Sequence, residues 1–251
     1  LAKENYDQAI VTPNSLKSSV VPFFAGIPRR TGFLGEYRYF FLNDIKLLDK
    51  RSMPMMVDRF LALVDASDVT MIKPRLLTDL SNQDRLLKHF DLKVDRSVTA
   101  FCPGAEFGDA KKWPESHYVS LGRELVRDGD QVWLLGGPGD EVSSAEIAKG
   151  IGAGCTNLTG ATTILDVIDL IGLADRVVTN DSGLMHVAAA VGTRVIAIYG
   201  STSPLFTPPL SDDAKIVSLQ LDCSPCFNRR CPLGHKNCLN KLTSDQVRSV
   251  L

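Results

Sequence analysis

The chain has 251 residues, 44% of them hydrophobic and 23% charged, with a formal net charge of −1. That balance describes a soluble globular chain with room for one large or two ordinary domains, and it gives no global pull toward nucleic acid or an anionic surface. The longest apolar stretch, Ser19–Ile27, is broken by Pro22 and is too short to span a bilayer, and no charged, apolar leader opens the sequence.

Leu1 is not an initiator methionine, and Tyr6–Pro13 already has the look of a mid-domain strand, so the chain reads as a fragment. Asp7–Val11 is expected as a short strand, followed by a helix that starts at Pro13-Asn14-Ser15 and runs to about Ala25. Arg29-Arg30-Thr31-Gly32 and Gly35-Glu36-Tyr37-Arg38 read as a basic loop with glycine turns. Pro54–Ala66 has helical spacing, with Met56, Phe60 and Leu63 on one side. Thr70–Asp95 is polar and contains Pro74, which suits an interdomain segment with one helix near Gln83–His89, so a boundary is placed near Val94. This divides the chain into 1–94 and 95–251.

Beyond the boundary the alternation is regular. Strand Val98–Cys102 precedes helix Glu115–Arg127, Gln131–Leu135 precedes helix Asp140–Lys149, and Thr156–Leu158 leads to helix Ile164–Leu173. Strands separated by helices of this length imply a parallel sheet with right-handed crossovers.

The stretch Val178–Pro204 organises this half. Arg176–Thr179 ends an apolar strand, and Asn180-Asp181 breaks it and is placed to cap a helix over Ser182–Val191. Arg194–Tyr199 is a β-branched run ended by Gly200. Only Ser182 and Gly183 precede Leu184 at the helix start, leaving backbone N–H groups and the positive end of the helix dipole open to an anion. His186 lies four residues beyond Ser182, on the same face. Asp-Ser-Gly before a helix is often only a cap, and a lone histidine on an alanine-rich helix is more often packed. The pairing with Gly200-Ser-Thr-Ser-Pro204 favours the site, because ligands of open α/β sheets bind outside the carboxyl ends of strands. On the same edge, Pro103–Pro114 carries Lys111, which can reach an anion. Gly136-Gly137-Pro138-Gly139-Asp140-Glu141 offers a carboxylate, Glu141, for ribose hydroxyls. Cys223, Cys226, Cys231 and Cys238 form C-x2-C-x4-C-x6-C with His235 nearby. Such a cluster suggests metal over disulfide in a cytosolic chain, although the spacing departs from a zinc ribbon and the question stays open. Cys102 and Cys155 read as buried small residues.

The stretches PNSLKSSVVPFFAGIPRRTGF, GEYRYFFLND, PGAEFGDAKKWP, VTNDSGLMHVAAA and YGSTSPLFTPPL resemble glycosyltransferase family 9, the heptosyltransferases. The resemblance implies an α/β, GT-B-type fold of two Rossmann-like domains, here with the N-terminal one truncated. It implies inverting transfer of heptose from ADP-L-glycero-D-manno-heptose to the inner-core heptose of lipopolysaccharide, in the cytoplasm and at the inner membrane surface, with no required cofactor and no nucleic-acid partner. By motif, Lys111, Glu141, Asp181, Ser182, Gly183, Leu184 and His186 match donor-binding positions. Lys17, Arg29, Arg30 and Arg38 suit an acceptor rich in carboxylates and phosphates. Where related enzymes place hydroxyl residues before the lysine, Glu106 and Phe107 stand here. The family's catalytic aspartate belongs to a glycine-rich loop that this sequence does not contain, so no base is assigned and the chain alone is expected to be inactive. A nucleotide-sugar 2-epimerase binding a UDP-sugar and a non-catalytic nucleotide-binding module are the other readings.

Overall fold

Residues 1–64 and 71–251 are described by a computed structural model of the chain. Two units separate after Ile72, with Leu205–Thr207 grouped with the first. Strands β1 (Gln8–Val11), β2 (Arg29–Phe33) and β3 (Asp44–Lys46) form a parallel sheet in the first unit, in that order. Helix α1 (Leu16–Phe24) crosses between β1 and β2, and the Ser15 hydroxyl caps it by accepting from Ser18 N. The expected basic loop at Arg29–Gly32 is instead the central strand. Thr31, Gly32 and Phe33 are buried and both edges of β2 are paired, a burial that the two leading arginines mask in the sequence. Of the expected helix Pro54–Ala66, only α2 (Met56–Leu61) forms. Phe60 is exposed while Leu63, past the helix end, is buried, so the apolar residues do not make one stripe; Ala66 lies outside the described residues.

The boundary falls upstream of Val94 because α3 (Leu80–His89) belongs to the second unit. Its Asn82 and Gln83 amides donate to Asp169 at 2.6 and 3.0 Å, and Leu86 enters that unit's core. The helix expected near Gln83–His89 thus forms, but as part of the second unit and not of an interdomain segment; Thr70, where that segment was taken to begin, lies outside the described residues.

The second unit alternates β4 (Val98–Cys102), α4 (Glu115–Arg127), β5 (Gln131–Leu134), α5 (Glu141–Ile151), β6 (Cys155–Asn157), α6 (Ile164–Leu173), β7 (Arg176–Asn180), α7 (Gly183–Val191), β8 (Arg194–Tyr199) and β9 (Ala214–Ser218). Two short helices, α8 (Asn237–Asn240) and α9 (Ser244–Arg248), follow. All six strands are parallel in the order β6-β5-β4-β7-β8-β9. Strand side chains alternate between two cores, as a period of two requires. Val177, Val195 and Ala197 pack with α3, α6 and α7, whereas Val178, Ile196 and Ile198 pack with α4, α5 and α9. The chain winds outward from β4 to β6, then from β7 to β9. The order therefore reverses between β4 and β7, where a crevice opens at the carboxyl ends.

Candidate functional site

A cavity of about 480 Å³ lies at that reversal. Gly104, Ala105 and Glu106 after β4, Gly136–Pro138 and Asp140 after β5, and Ser182, Gly183 and Leu184 at the start of α7 form much of its wall. Ser182 is the N-cap residue of α7, but its side chain makes no capping bond. Nothing stands within 4 Å of where a Cβ on Gly183 would be, so the positive end of the helix faces open space.

The expected capping role of Asn180 and Asp181 does not appear, because both side chains are engaged elsewhere. Buried Asn180 donates to Pro103 O at 2.6 Å and accepts from Trp113 N at 3.1 Å and the Tyr118 hydroxyl at 3.3 Å. It thereby fastens the turn after β4 to the end of β7. Asp181 Oδ2 receives Lys111 Nζ at 2.6 Å and the Thr202 hydroxyl at 2.6 Å. Lys111 and Asp181, seventy positions apart in sequence, are thus brought together with the start of α7, and the second glycine turn joins them through Thr202. Lys111 retains two further N–H donors. Its Nζ also lies 4.9 Å from the Phe107 ring centre, so the residue that departs from the family pattern is the lysine's support.

His186 is exposed one helical turn beyond Ser182. Desolvation by the surrounding protein holds its imidazolium below the ordinary histidine value; Asp181 opposes this and Lys111 adds to it. Glu141 does not share the cavity wall. Its carboxylate lies against Gly160, where an added Cβ would meet Oε1 at 2.2 Å. Asp140 lines the cavity instead, accepting from Gly137 N at 3.3 Å, with Lys112 Nζ at 3.7 Å.

A family model described as glycosyltransferase family 9 (heptosyltransferase) matches residues 1–237. The chain belongs to glycosyltransferase family 9. It is 44% identical over 232 residues to lipopolysaccharide heptosyltransferase 2 of Escherichia coli K12, a match covering 87% of this chain and 67% of the relative. Lipooligosaccharide heptosyltransferase 2 of Haemophilus influenzae is 46% identical over 232 residues, covering 86% of this chain and 67% of the relative. The solved structure of E. coli ADP-heptose lps heptosyltransferase II superposes with a TM-score of 0.85 at 38% identity, over 99% of this chain and 76% of that one. The α/β, GT-B-type fold implied by the motif resemblance is therefore the fold of this chain.

The basic residues of this family 9 member's first unit are not alike. Lys17 is exposed, and Arg29 pairs with Asp44 at 2.7 Å while keeping 46% of its side chain exposed. The Arg30 guanidinium donates to the carbonyls of Ile27 and Phe41 and lies over Phe23. Arg38 has no exposed surface. Its guanidinium is spent on Phe33 O, Pro13 O, Ser15 O, the Ser18 hydroxyl and Asn14 Oδ1, so it holds the loop together and cannot greet an acceptor without unfolding it.

The four cysteines do come together, lining one cavity of about 20 Å³ with Ser201 and His235. Among the described residues, however, no three His, Cys, Asp or Glu side chains stand where one metal ion could be held. Cys102 is buried as expected, and Cys155 is half-buried. Sequence reasoning assigns no role to Thr202 or Asp140, and the roles of Asn180 as a clamp and Phe107 as the lysine's neighbour differ from those expected. The clue available for Thr202 was its turn, Gly200–Pro204, already placed on the same edge of the sheet as the Asp181 turn.

Proposed function

We propose that this chain is the donor-binding part of an inverting transferase that moves heptose from ADP-L-glycero-D-manno-heptose to the inner-core heptose of lipopolysaccharide. The observation that carries the reading is the meeting of Lys111, Asp181 and the open start of α7 beside a cavity at the sheet's reversal. Family membership and the names of the relatives give it its substrates. In such a transfer the acceptor oxygen attacks the anomeric carbon while the bond to the diphosphate breaks, and negative charge collects on the leaving ADP. A lysine and a helix start are suited to that charge, so the reading needs no metal cofactor. The cavity walls take the nucleoside, with Asp140 nearer to it than Glu141.

Lys17, Arg29 and Arg30 remain acceptor-side residues in this reading, and Arg38 is left to hold Pro13–Ser18 against Phe33. The acceptor is lipid-linked, which places the work on the cytoplasmic face of the inner membrane. No described helix is long and apolar enough to cross a bilayer; in this reading attachment to that face is peripheral. Calorimetric titration with ADP and UDP tests the nucleotide. ADP is expected to bind at least tenfold tighter; equal or tighter UDP binding would transfer the site to a UDP-sugar epimerase.

A further inference from the structure

The loop bearing the four cysteines takes no part in the cavity wall, yet it is braced against the turn that carries Lys111. At Gly108 two segments come so close that a Cβ would stand 2.4 Å from the Arg229 carbonyl oxygen. The backbone φ there is +151°, which glycine adopts freely and other residues rarely do. This approach lets Arg229 O accept from Ala110 N at 3.1 Å, one residue before Lys111. The Arg229 guanidinium also lies 5.3 Å from the centre of the Phe107 ring that carries Lys111 Nζ. A few residues earlier, Phe227 N donates to Ser201 O at 2.7 Å, next to the threonine that holds Asp181. One loop therefore braces both groups that grip the Asp181 carboxylate.

The geometry points to Gly108 and Arg229 as positioning residues for the diphosphate end of the donor. They hold the short turn Asp109–Lys111 so that Lys111 meets Asp181 at the start of α7. The assignment rests on the donor-site reading above. Neither residue touches the nucleotide; each acts through Lys111. Gly108→Ala must push the Arg229 backbone away, release Ala110 and let the lysine swing. A side chain that only serves the fold would weaken every ligand alike, whereas loss of a placed lysine affects the second phosphate above all.

The test is calorimetric titration of ADP and AMP into the chain, Gly108→Ala, Lys111→Gln and the double variant, with near-ultraviolet circular dichroism confirming the fold. Lys111→Gln keeps an N–H for Asp181 and removes the charge. Gly108→Ala is expected to weaken ADP by about tenfold, a difference of about 1.4 kcal/mol, and AMP by much less. The double variant should bind ADP no worse than Lys111→Gln alone, because the glycine acts through the lysine. Should Gly108→Ala not fold, Phe107→Leu enters the same cycle, since it removes the shared ring while keeping an apolar side chain. Wild-type ADP affinity in Gly108→Ala, or losses that multiply in the double variant, would overturn the positioning role while leaving the donor site in place. Unchanged affinity in Lys111→Gln would overturn the donor-site reading, and this role with it.

Discussion

At the scale of single residues, position along the chain and position in space separate two adjacent carboxylates. Asp140 and Glu141 follow the same glycine turn, and either could accept from ribose hydroxyls. The turn sends Asp140 into the cavity wall and Glu141 toward Gly160. A carboxylate hydrogen bond is worth roughly 1.5–3 kcal/mol, so Asp140→Asn is expected to weaken ADP by about that amount and Glu141→Ala by far less. Calorimetry on the two variants decides it, and the reverse order would return the ribose to Glu141. Arg38 poses the opposite case, a charge that looks free in sequence and is wholly employed in space. Each buried acceptor stranded by its loss costs about 1–3 kcal/mol, so Arg38→Met should destabilise the first unit markedly. Chemical denaturation followed through that unit's tyrosines would show it. A variant as stable as the parent would mean that its five partners find other donors.

At the scale of elements, the cysteine loop shows how the backbone sorts chemically equal thiols. The amide of Lys236, 3.4 Å from the Cys231 sulfur, is the foremost cause holding that thiol below its usual range, joined by those of Leu233, Gly234 and His235 against some burial. Burial first, then the neighbouring thiols, pushes Cys238 up. Thiolate is the reacting form, so alkylation by iodoacetamide should set in at lower pH for Cys231 than for Cys238. Cys102 and Cys155, pushed up to about 12 by burial, should react last. Mass spectrometry across a pH series reads the order, and simultaneous modification of Cys231 and Cys238 would refute it. Elements with a strong local signal were legible in the sequence. Helices Glu115–Arg127 and Ile164–Leu173 and strand Arg194–Tyr199 stand where periodicity puts them. Those it missed are stabilised by partners remote in sequence. Strand β2 hides two arginines at its start, and β9, only partly buried, is defined by its pairing with β8. Helix α3 was expected, but its place in the second unit is set by Asp169, 86 to 87 residues away, which accepts the amides of Gln83 and Asn82.

At the scale of the whole molecule, the alternation of strands and helices foretold a parallel sheet, and the two glycine turns lie on the edge where a crevice opens. What could not be read was the strand order, since nothing local says that β7 returns to the far side of β4. That reversal creates the crevice, and it explains why Asn180 reads as a cap in the sequence: Pro103, Trp113 and Tyr118, its actual partners, lie across it. Every residue proposed to hold ADP belongs to the second unit, which leads to a regional prediction. A ligand that binds only the native state stabilises it by about 2.7 kcal/mol at a hundred times its dissociation constant. The gain is felt first by segments whose opening destroys the site. Hydrogen exchange with saturating ADP should therefore slow at Gly104–Trp113, Gly136–Glu141 and Asp181–Val187, while Gln8–Lys46 exchanges as before. AMP should protect the first two segments, except near Lys111, and leave the start of α7 less changed, because the second phosphate is what that helix receives. Protection concentrated in Gln8–Lys46, or a pattern identical for ADP and AMP, would mean that the anion does not sit at Asp181 and that the lysine pairing serves the fold alone.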